Sequence, residues 1–259
     1  MATEESRKGA HPSRRDFLAS TGALAAGATV AGQSAARGAV EKLALDGGPK
    51  AVTVPDNDAW TWPRYSKEEE EAILELVRNP SYDPIGKLEA EWREFIDVPY
   101  ATAHMNGTSA LTALFFALNL PPGSEILVPS YTFFATIVPM RLFGLVPVFV
   151  DINPRTLNFD LEDAKKRLTP RTKAVLPVHW IGLPADMDHI CEWAEEKGLI
   201  VLEDAAHAHG AQLKGKYMGS WSRMSIFSYQ KTKPLPSVEG GMGCYQNKED
   251  HERASSFGN

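Results

Sequence analysis

The sequence predicts an α/β fold, a three-layer α/β/α sandwich built on a mainly parallel sheet. Three observations predict it. First, from about residue 100 onward short apolar runs rich in β-branched residues recur along the chain. Second, amphipathic stretches of helical period lie between them, which implies right-handed crossovers and a sheet covered on both faces. Third, 259 residues that are 43% hydrophobic and 23% charged suit one generous domain or two small ones of ordinary globular composition.

Taken in order, residues 41–65 carry Pro and Trp without periodicity and read as an extended lead-in. Lys67–Val77 and Gly86–Phe95 read as helices, followed by a helix over Thr108–Asn119. The strand Ile126–Val128 precedes a helical pattern at Phe133–Phe143, and Val146–Val150 forms the next strand. Asp160 opens the helix Leu161–Leu168, where the early acids Glu162 and Asp163 complement the macrodipole. After the strand Ala174–Val178, the helix Met187–Lys197 places Met187, Ile190, Cys191 and Ala194 on one core-facing stripe. The strands Leu199–Leu202 and Ser225–Phe227 complete the alternation, and no internal repeat is present. The domain division predicted is 1–36, 37–99 and 100–259.

The first segment is an address rather than fold. Residues 1–40 are net +2, whereas 41–259 are net −8. The cluster Ser13-Arg14-Arg15-Asp16-Phe17-Leu18 is followed by a mildly apolar Ala/Gly-rich stretch and then Gln33-Ser34-Ala35-Ala36. This resembles a twin-arginine signal peptide spanning 1–36, with small residues where a peptidase would cut. It implies the twin-arginine export machinery as a partner and a periplasmic or cell-envelope location, with a cytoplasmic protein as the alternative. Cys191 and Cys244 provide no disulfide scaffold and no paired zinc spacing. No apolar run reaches the roughly 18 residues of a membrane span. A net charge of −6 gives no reason to expect nucleic acid as a partner.

In open α/β sheets the chemistry collects beyond the carboxyl ends of the strands. Four stations stand there. Asn106-Gly107-Thr108-Ser109 turns into a helix whose free N–H groups, with the Thr108 and Ser109 hydroxyls, suit a phosphate. A Ser/Thr N-cap is the bland reading of the same residues. No Walker lysine and no early Gly-x-Gly-x-x-Gly support a nucleotide site. Pro129-Ser130-Tyr131-Thr132-Phe133-Phe134-Ala135-Thr136 offers an aromatic face to a ring, or packs a core. Glu203-Asp204-Ala205-Ala206-His207-Ala208-His209 ends an apolar strand in two carboxylates, which are costly unless paired or near water. Asp204 suits the proton of a heteroaromatic nitrogen; with His207 and His209 it could equally ligate a metal, but no second cluster supplies further ligands, and no metal is expected. Phe227-Ser228-Tyr229-Gln230-Lys231-Thr232-Lys233 carries a loop lysine, either a desolvated amine nucleophile or a surface base. Phosphate cradle, aromatic face, carboxylate and amine together are the parts needed to hold pyridoxal 5'-phosphate.

Here the sequence resembles the DegT/DnrJ/EryC1/StrS aminotransferases, sugar aminotransferases among the fold-type I pyridoxal-phosphate enzymes. The likeness runs from about Leu43 to the end and includes Val178-His179-Trp180-Ile181-Gly182 beside the four stations, all in family order. It implies an aspartate-aminotransferase-like large domain, with Lys233 as the Schiff-base lysine and proton-transfer base and Lys231 as a bystander. Gly107, Thr108, Ser109 and Ser228 would hold the phosphate, Phe133 would stack on the ring, Asp204 would pair with its nitrogen, and His207 would lie near its phenolic oxygen. The implied reaction is ping-pong transamination of a keto-sugar or keto-cyclitol, with glutamate or glutamine as amino donor, in a homodimer with a composite site. The alternatives are a non-catalytic cofactor-binding sensor or accessory protein, or an inactive α/β module. Gln230-Lys231-Thr232-Lys233 looks like the branch acting on keto-inositols. Ser222-Arg223 stands where the family usually has Gly-Asp, a departure expected to alter the loop leading into the lysine strand. The ending Ser256-Phe257-Gly258-Asn259 falls inside the connection towards the family's small C-terminal domain, so that domain is expected to be missing.

Overall fold

Every second side chain of a strand faces the same way, so a sheet between two helix layers needs apolar residues at every position. Glu125–Pro129, Met224–Ser228 and Gly241–Tyr245 are buried along their whole length, as such a sheet requires. A computed structural model describes residues 42–50 and 61–258. The predicted signal peptide, 1–36, lies outside the described residues. Residues 42–50 belong to a unit of their own, in which the turn Ala44–Asp46 is closed by Gly47 in the left-handed region (φ 85°).

The second unit is built on a seven-stranded sheet. Its strands are β1 (Tyr100–His104), β2 (Glu125–Pro129), β3 (Val146–Val150), β4 (Thr172–Val175), β5 (Ile200–Asp204), β8 (Met224–Ser228) and β9 (Gly241–Tyr245). Between β5 and β8 a small hairpin, β6 (Gln212–Leu213) with β7 (Lys216–Tyr217), stands apart as its own two-stranded sheet. The order across the large sheet is β1-β9-β8-β5-β4-β2-β3, and β9 runs antiparallel to both its neighbours while the other pairings are parallel.

The helices are α1 (Lys67–Arg78), α2 (Asp83–Ile96), α3 (Gly107–Leu118), α4 (Leu161–Arg167), α5 (Met187–Lys197) and α6 (Lys248–Gly258). Leu127, Val175, Phe227 and Met242 face a core completed by Trp92 and Ile96 of α2, Ala164 of α4 and Met187, Ile190 and Ala194 of α5. Ile126, Val128, Ala174, Leu176, Leu202 and Ile226 face the opposite core, with Leu111, Leu114 and Phe115 of α3 and Ala254 of α6. The three-layer α/β/α arrangement with a mainly parallel sheet is the fold the sequence predicts.

Several elements differ from expectation, each for a local reason. Phe133–Phe143 is two 3-10 segments, Phe134–Thr136 and Val138–Phe143, because Pro139 has no N–H to carry a helical ladder back to Ala135 and is tolerated only at the start of the second segment. The strand predicted over Ala174–Val178 begins earlier and ends at Val175, since Pro177 has no N–H for the ladder. The step from β5 to β8 passes through the hairpin rather than a helix. The expectations also omit β1 and β9. In β9, Gly241 and Gly243 lower the strand signal but are required by close contact. A Cβ at Gly241 would lie 2.5 Å from the Asn106 carbonyl, so this strand must be bare where the turn before α3 crosses it.

Candidate active site

The chain returns to the carboxyl edge of the sheet after each parallel strand, so the four stations converge there. Gly107, Thr108, Phe133, Asp204, His207, Ser228 and Lys233 line one cavity of about 690 Å³, together with Asn106, Thr132, Thr136, Trp180, Gln230 and Glu239. Ser109 is not part of this lining. Its N–H and hydroxyl both donate to Asn106 Oδ1, at 2.8 and 3.0 Å. The cap of α3 is therefore Asn106, not a Ser or Thr, and the Thr108 hydroxyl stays outside the capping geometry.

Gly107 is pressed against Ser228, where a Cβ would meet the serine Cβ at 2.8 Å. That contact brings the first N–H groups of a twelve-residue helix beside the hydroxyl at the end of β8. A helix start with a flanking hydroxyl suits an anion by its dipole and its free donors. Phe133 presents an exposed ring to the same cavity, tilted against Phe134 at 4.3 Å between centroids.

Asp204 ends β5 and is only 4% exposed. Thr136 donates its hydroxyl to Asp204 Oδ2 at 2.7 Å, and the Ala206 N–H donates to Oδ1 at 3.1 Å. Thr132 and Thr136 share a further hydrogen bond of 2.8 Å, extending the chain toward the aromatic wall. The i, i+4 spacing of these two hydroxyls, set among the aromatics of the segment, is their signal in the sequence. Thr136→Val removes the hydroxyl at nearly constant shape. It is expected to cost about 1.5–3 kcal/mol of folding stability, the worth of a hydrogen bond to a charged group. The measurement is a urea midpoint that falls with an unchanged slope; an unchanged midpoint refutes it.

Burial holds the Lys233 amine below its ordinary value, against the opposing pull of the Asp204 charge. Lys231 is exposed and its N–H serves Val238 O at 3.0 Å, so the structure places the two lysines differently. The Lys233 carbonyl accepts from Trp62 Nε1 at 3.1 Å, and Tyr65 Oη accepts from the Val238 N–H at 3.0 Å. These lead-in residues strap the lysine loop, a role that nothing in their aperiodic sequence signals. His207 Nδ1 accepts from the Ile181 N–H at 3.3 Å, and burial, with the Lys233 charge, lowers its pKa.

The Ser222-Arg223 departure is absorbed locally. Ser222 Oγ donates to Met224 O at 2.8 Å, and Arg223 makes a two-point contact with Asp250 of α6, at 2.6 and 2.7 Å. His209 lies behind the cavity among Trp92, Phe227 and Tyr229, with centroids 6.0, 5.4 and 5.7 Å away. It is not brought into a metal cluster with Asp204 and His207; among the described residues the one such grouping is Asp186, Asp188 and His189 on the surface. Neither ring nitrogen of His209 has a hydrogen bond of good geometry, and burial lowers its pKa from 6.5 to about 4. As pH falls from 6.5 toward 4 the unfolded chain takes up a proton that the folded one refuses, so stability drops through that window. The contribution is of the order of 3 kcal/mol. His209→Phe is expected to flatten the stability-pH curve between these limits, and an unchanged slope refutes the assignment.

Among the described residues no helix is long and apolar enough to cross a membrane. A twin-arginine translocation signal sequence is matched at residues 11–31. The chain is 33% identical over 201 residues to the 3-amino-5-hydroxybenzoate synthase of Amycolatopsis mediterranei, covering 76% of this chain and 52% of that protein. It is 38% identical over 184 residues to the GDP-perosamine synthase of Caulobacter vibrioides, covering 70% and 50%. Among solved structures, an aminotransferase from Psychrobacter cryohalolentis superposes with a TM-score of 0.74 at 32% identity, covering 76% of this chain and 51% of that one. The chain thus spans about half the length of these relatives. Residues 63–259 match the DegT/DnrJ/EryC1/StrS aminotransferase family, a family of pyridoxal-phosphate-dependent aminotransferases, and the chain belongs to it.

Proposed function

We propose that the protein carries out pyridoxal-phosphate-dependent transamination of a keto-sugar or keto-cyclitol, with glutamate or glutamine as the amino donor. The observation that carries this reading is the convergence of Lys233, Asp204, His207, Ser228, Phe133 and the Gly107–Thr108 helix start on one cavity.

The residues present fit the group. Gly107, Thr108 and Ser228 form an anion cradle that a Cβ at position 107 would fill. Phe133 offers a flat apolar face to the ring, and Asp204 is a buried carboxylate suited to accept from a ring N–H. His207 stands on the same wall, and Lys233 is an amine whose lowered pKa leaves more of it neutral and nucleophilic. When bound, pyridoxal phosphate supplies an aldehyde for amine capture and a ring that accepts electron density from a weakened Cα–H bond. The chain's part is to orient that ring, keep its nitrogen protonated through Asp204, and move a proton between carbon atoms with Lys233 as general base. Alternation of amino donor and keto acceptor on one site gives ping-pong kinetics. Ser109 supports the cradle indirectly, donating its N–H and hydroxyl to the capping Asn106 at the start of α3.

The family membership and the sugar-synthase names of relatives support the substrate class. Domain 100–259 is the cofactor domain in this reading, with 37–99 as lead-in, and the working unit is a homodimer with a composite site. The signal match supports export to the periplasm or cell envelope. Pyridoxal 5'-phosphate added to the purified chain is expected to give a visible absorption band that borohydride removes, leaving the cofactor covalently on Lys233. Glutamate or glutamine is then expected to bleach the band. Protein that stays colourless refutes the cofactor reading, and a band that neither donor bleaches leaves a binding protein without transaminase activity.

A further inference from the structure

Glu203 is a carboxylate without a part in the chemistry above, and it is 0% exposed. It precedes Asp204 on β5, so its side chain leaves the opposite face of the sheet. It accepts from the Gly219 N–H at 2.6 Å and the Ser222 N–H at 2.8 Å, and lies 3.1 Å from Nε2 of His179, also 0% exposed. Burial pushes the Glu203 carboxyl up, but the His179 contact and the two backbone donors together hold it below the usual carboxylate range. His179 Nδ1 accepts from the Ala185 N–H at 3.1 Å, which puts the ring proton on Nε2, facing Glu203. A buried pair of this kind is weak evidence for stability, because desolvation offsets most of the attraction. It does fix positions, and those positions lead into the cavity.

The backbone of His179 donates to Asp204 O at 3.2 Å, and its carbonyl accepts from the Gly182 N–H at 3.2 Å. The turn so closed carries Ile181, held in the left-handed region at φ 52°, whose N–H reaches His207 Nδ1. With Nδ1 accepting, His207 carries its proton on Nε2. Gly182 packs beneath, where a Cβ would lie 3.1 Å from His207 O.

We propose that Glu203 and His179 are a positioning pair for the site: through the 178–182 turn they fix the tautomer and placement of His207, and they anchor the end of β5 that presents Asp204. The pair acts on the protein's own geometry; only its effect on cofactor affinity rests on the reading above.

The test uses the full chain labelled with ¹⁵N-histidine. Without ligand, His207 of the wild type is expected as a single Nε2–H tautomer. Glu203→Gln removes the charge at constant shape. His179→Asn keeps an acceptor for Ala185 and loses the donor to Glu203, so it decides the question if the first variant fails to fold. Both are expected to give His207 as a tautomer mixture and to weaken pyridoxal 5'-phosphate binding on the order of tenfold, the usual loss when an outer partner of a binding group is removed. The double variant is expected to be no worse than either single one. A folded His179→Asn protein whose His207 signals match the wild type overturns the proposal, even if its unfolding midpoint has dropped. If the tautomer result holds while the wild type fails to take up pyridoxal 5'-phosphate, the cofactor reading falls and the positioning pair stands.

Discussion

Lys233→Ala is expected to abolish covalent capture of pyridoxal 5'-phosphate, with no visible band and no borohydride-fixed adduct. Turnover with glutamate or glutamine is expected to fall by about 10²–10⁴ from the lost general base alone. The argument is geometric first. Lys233 lines the same cavity as Asp204 and Ser228, and its backbone is tied to Gln230 O at 2.8 Å and to Trp62 at 3.1 Å. The side chain is half-buried, and that burial lowers the amine pKa from its ordinary 10.5, so capture of an aldehyde is expected to rise with pH around a midpoint below that value. Lys231→Ala is the control. It is exposed, and loss of the adduct in that variant with retention in Lys233→Ala would reverse the assignment. Because alanine removes no backbone contact of the loop, the fold should survive the change.

Asp204→Asn is expected to weaken pyridoxal 5'-phosphate binding about 10- to 100-fold and to depress turnover further. A charge-assisted hydrogen bond is worth roughly 1.5–3 kcal/mol, which sets the affinity range. Asparagine can still accept from either Thr136 or Ala206 through its one oxygen, but its amide then points a donor at whatever the carboxylate served. A ring N–H there would meet another donor. Binding measured by fluorescence or band titration decides the first part, and unchanged affinity refutes it. Loss of protonation on the ring explains the additional loss in rate, because the unprotonated ring is a poorer acceptor of electron density. Thr136→Val should move affinity in the same direction by less, since Asp204 keeps its charge and its Ala206 contact.

Much of this site was legible because its parts are local strings. The turn 106–109, the segment 129–136, the strand end 203–209 and the loop 228–233 each place their functional side chains within a few residues of one another. Strand order brings the four together, and the parallel alternation of the sheet is enough to say at which edge. What stayed illegible depends on contacts between distant strings. The two hydroxyls above Asp204 read as part of an apolar helix start until residue 136 meets residue 204 in space. The Glu203–His179 contact joins the end of β5 to the turn beyond β4, and the Val178–Asp204 bridge brings it about. Strand β9 reads as a glycine-rich loop because its Gly241 answers to Asn106, which is far from it in sequence. The hydrogen bonding of Ser109 was hidden for the opposite reason. Its competing partner, Asn106, is three residues away, and capping outranks a ligand role for a hydroxyl at that position.

The Trp62 and Tyr65 contacts with the lysine loop join residues 171 and 173 positions apart. Closing such distant pairs is late work for a folding chain, since the loop entropy must be met before the contact can reward it. The loop that presents the amine therefore reaches its working shape only after nearly the whole described unit has been made and packed. Colour from a captured aldehyde would then serve as a reporter of completed folding.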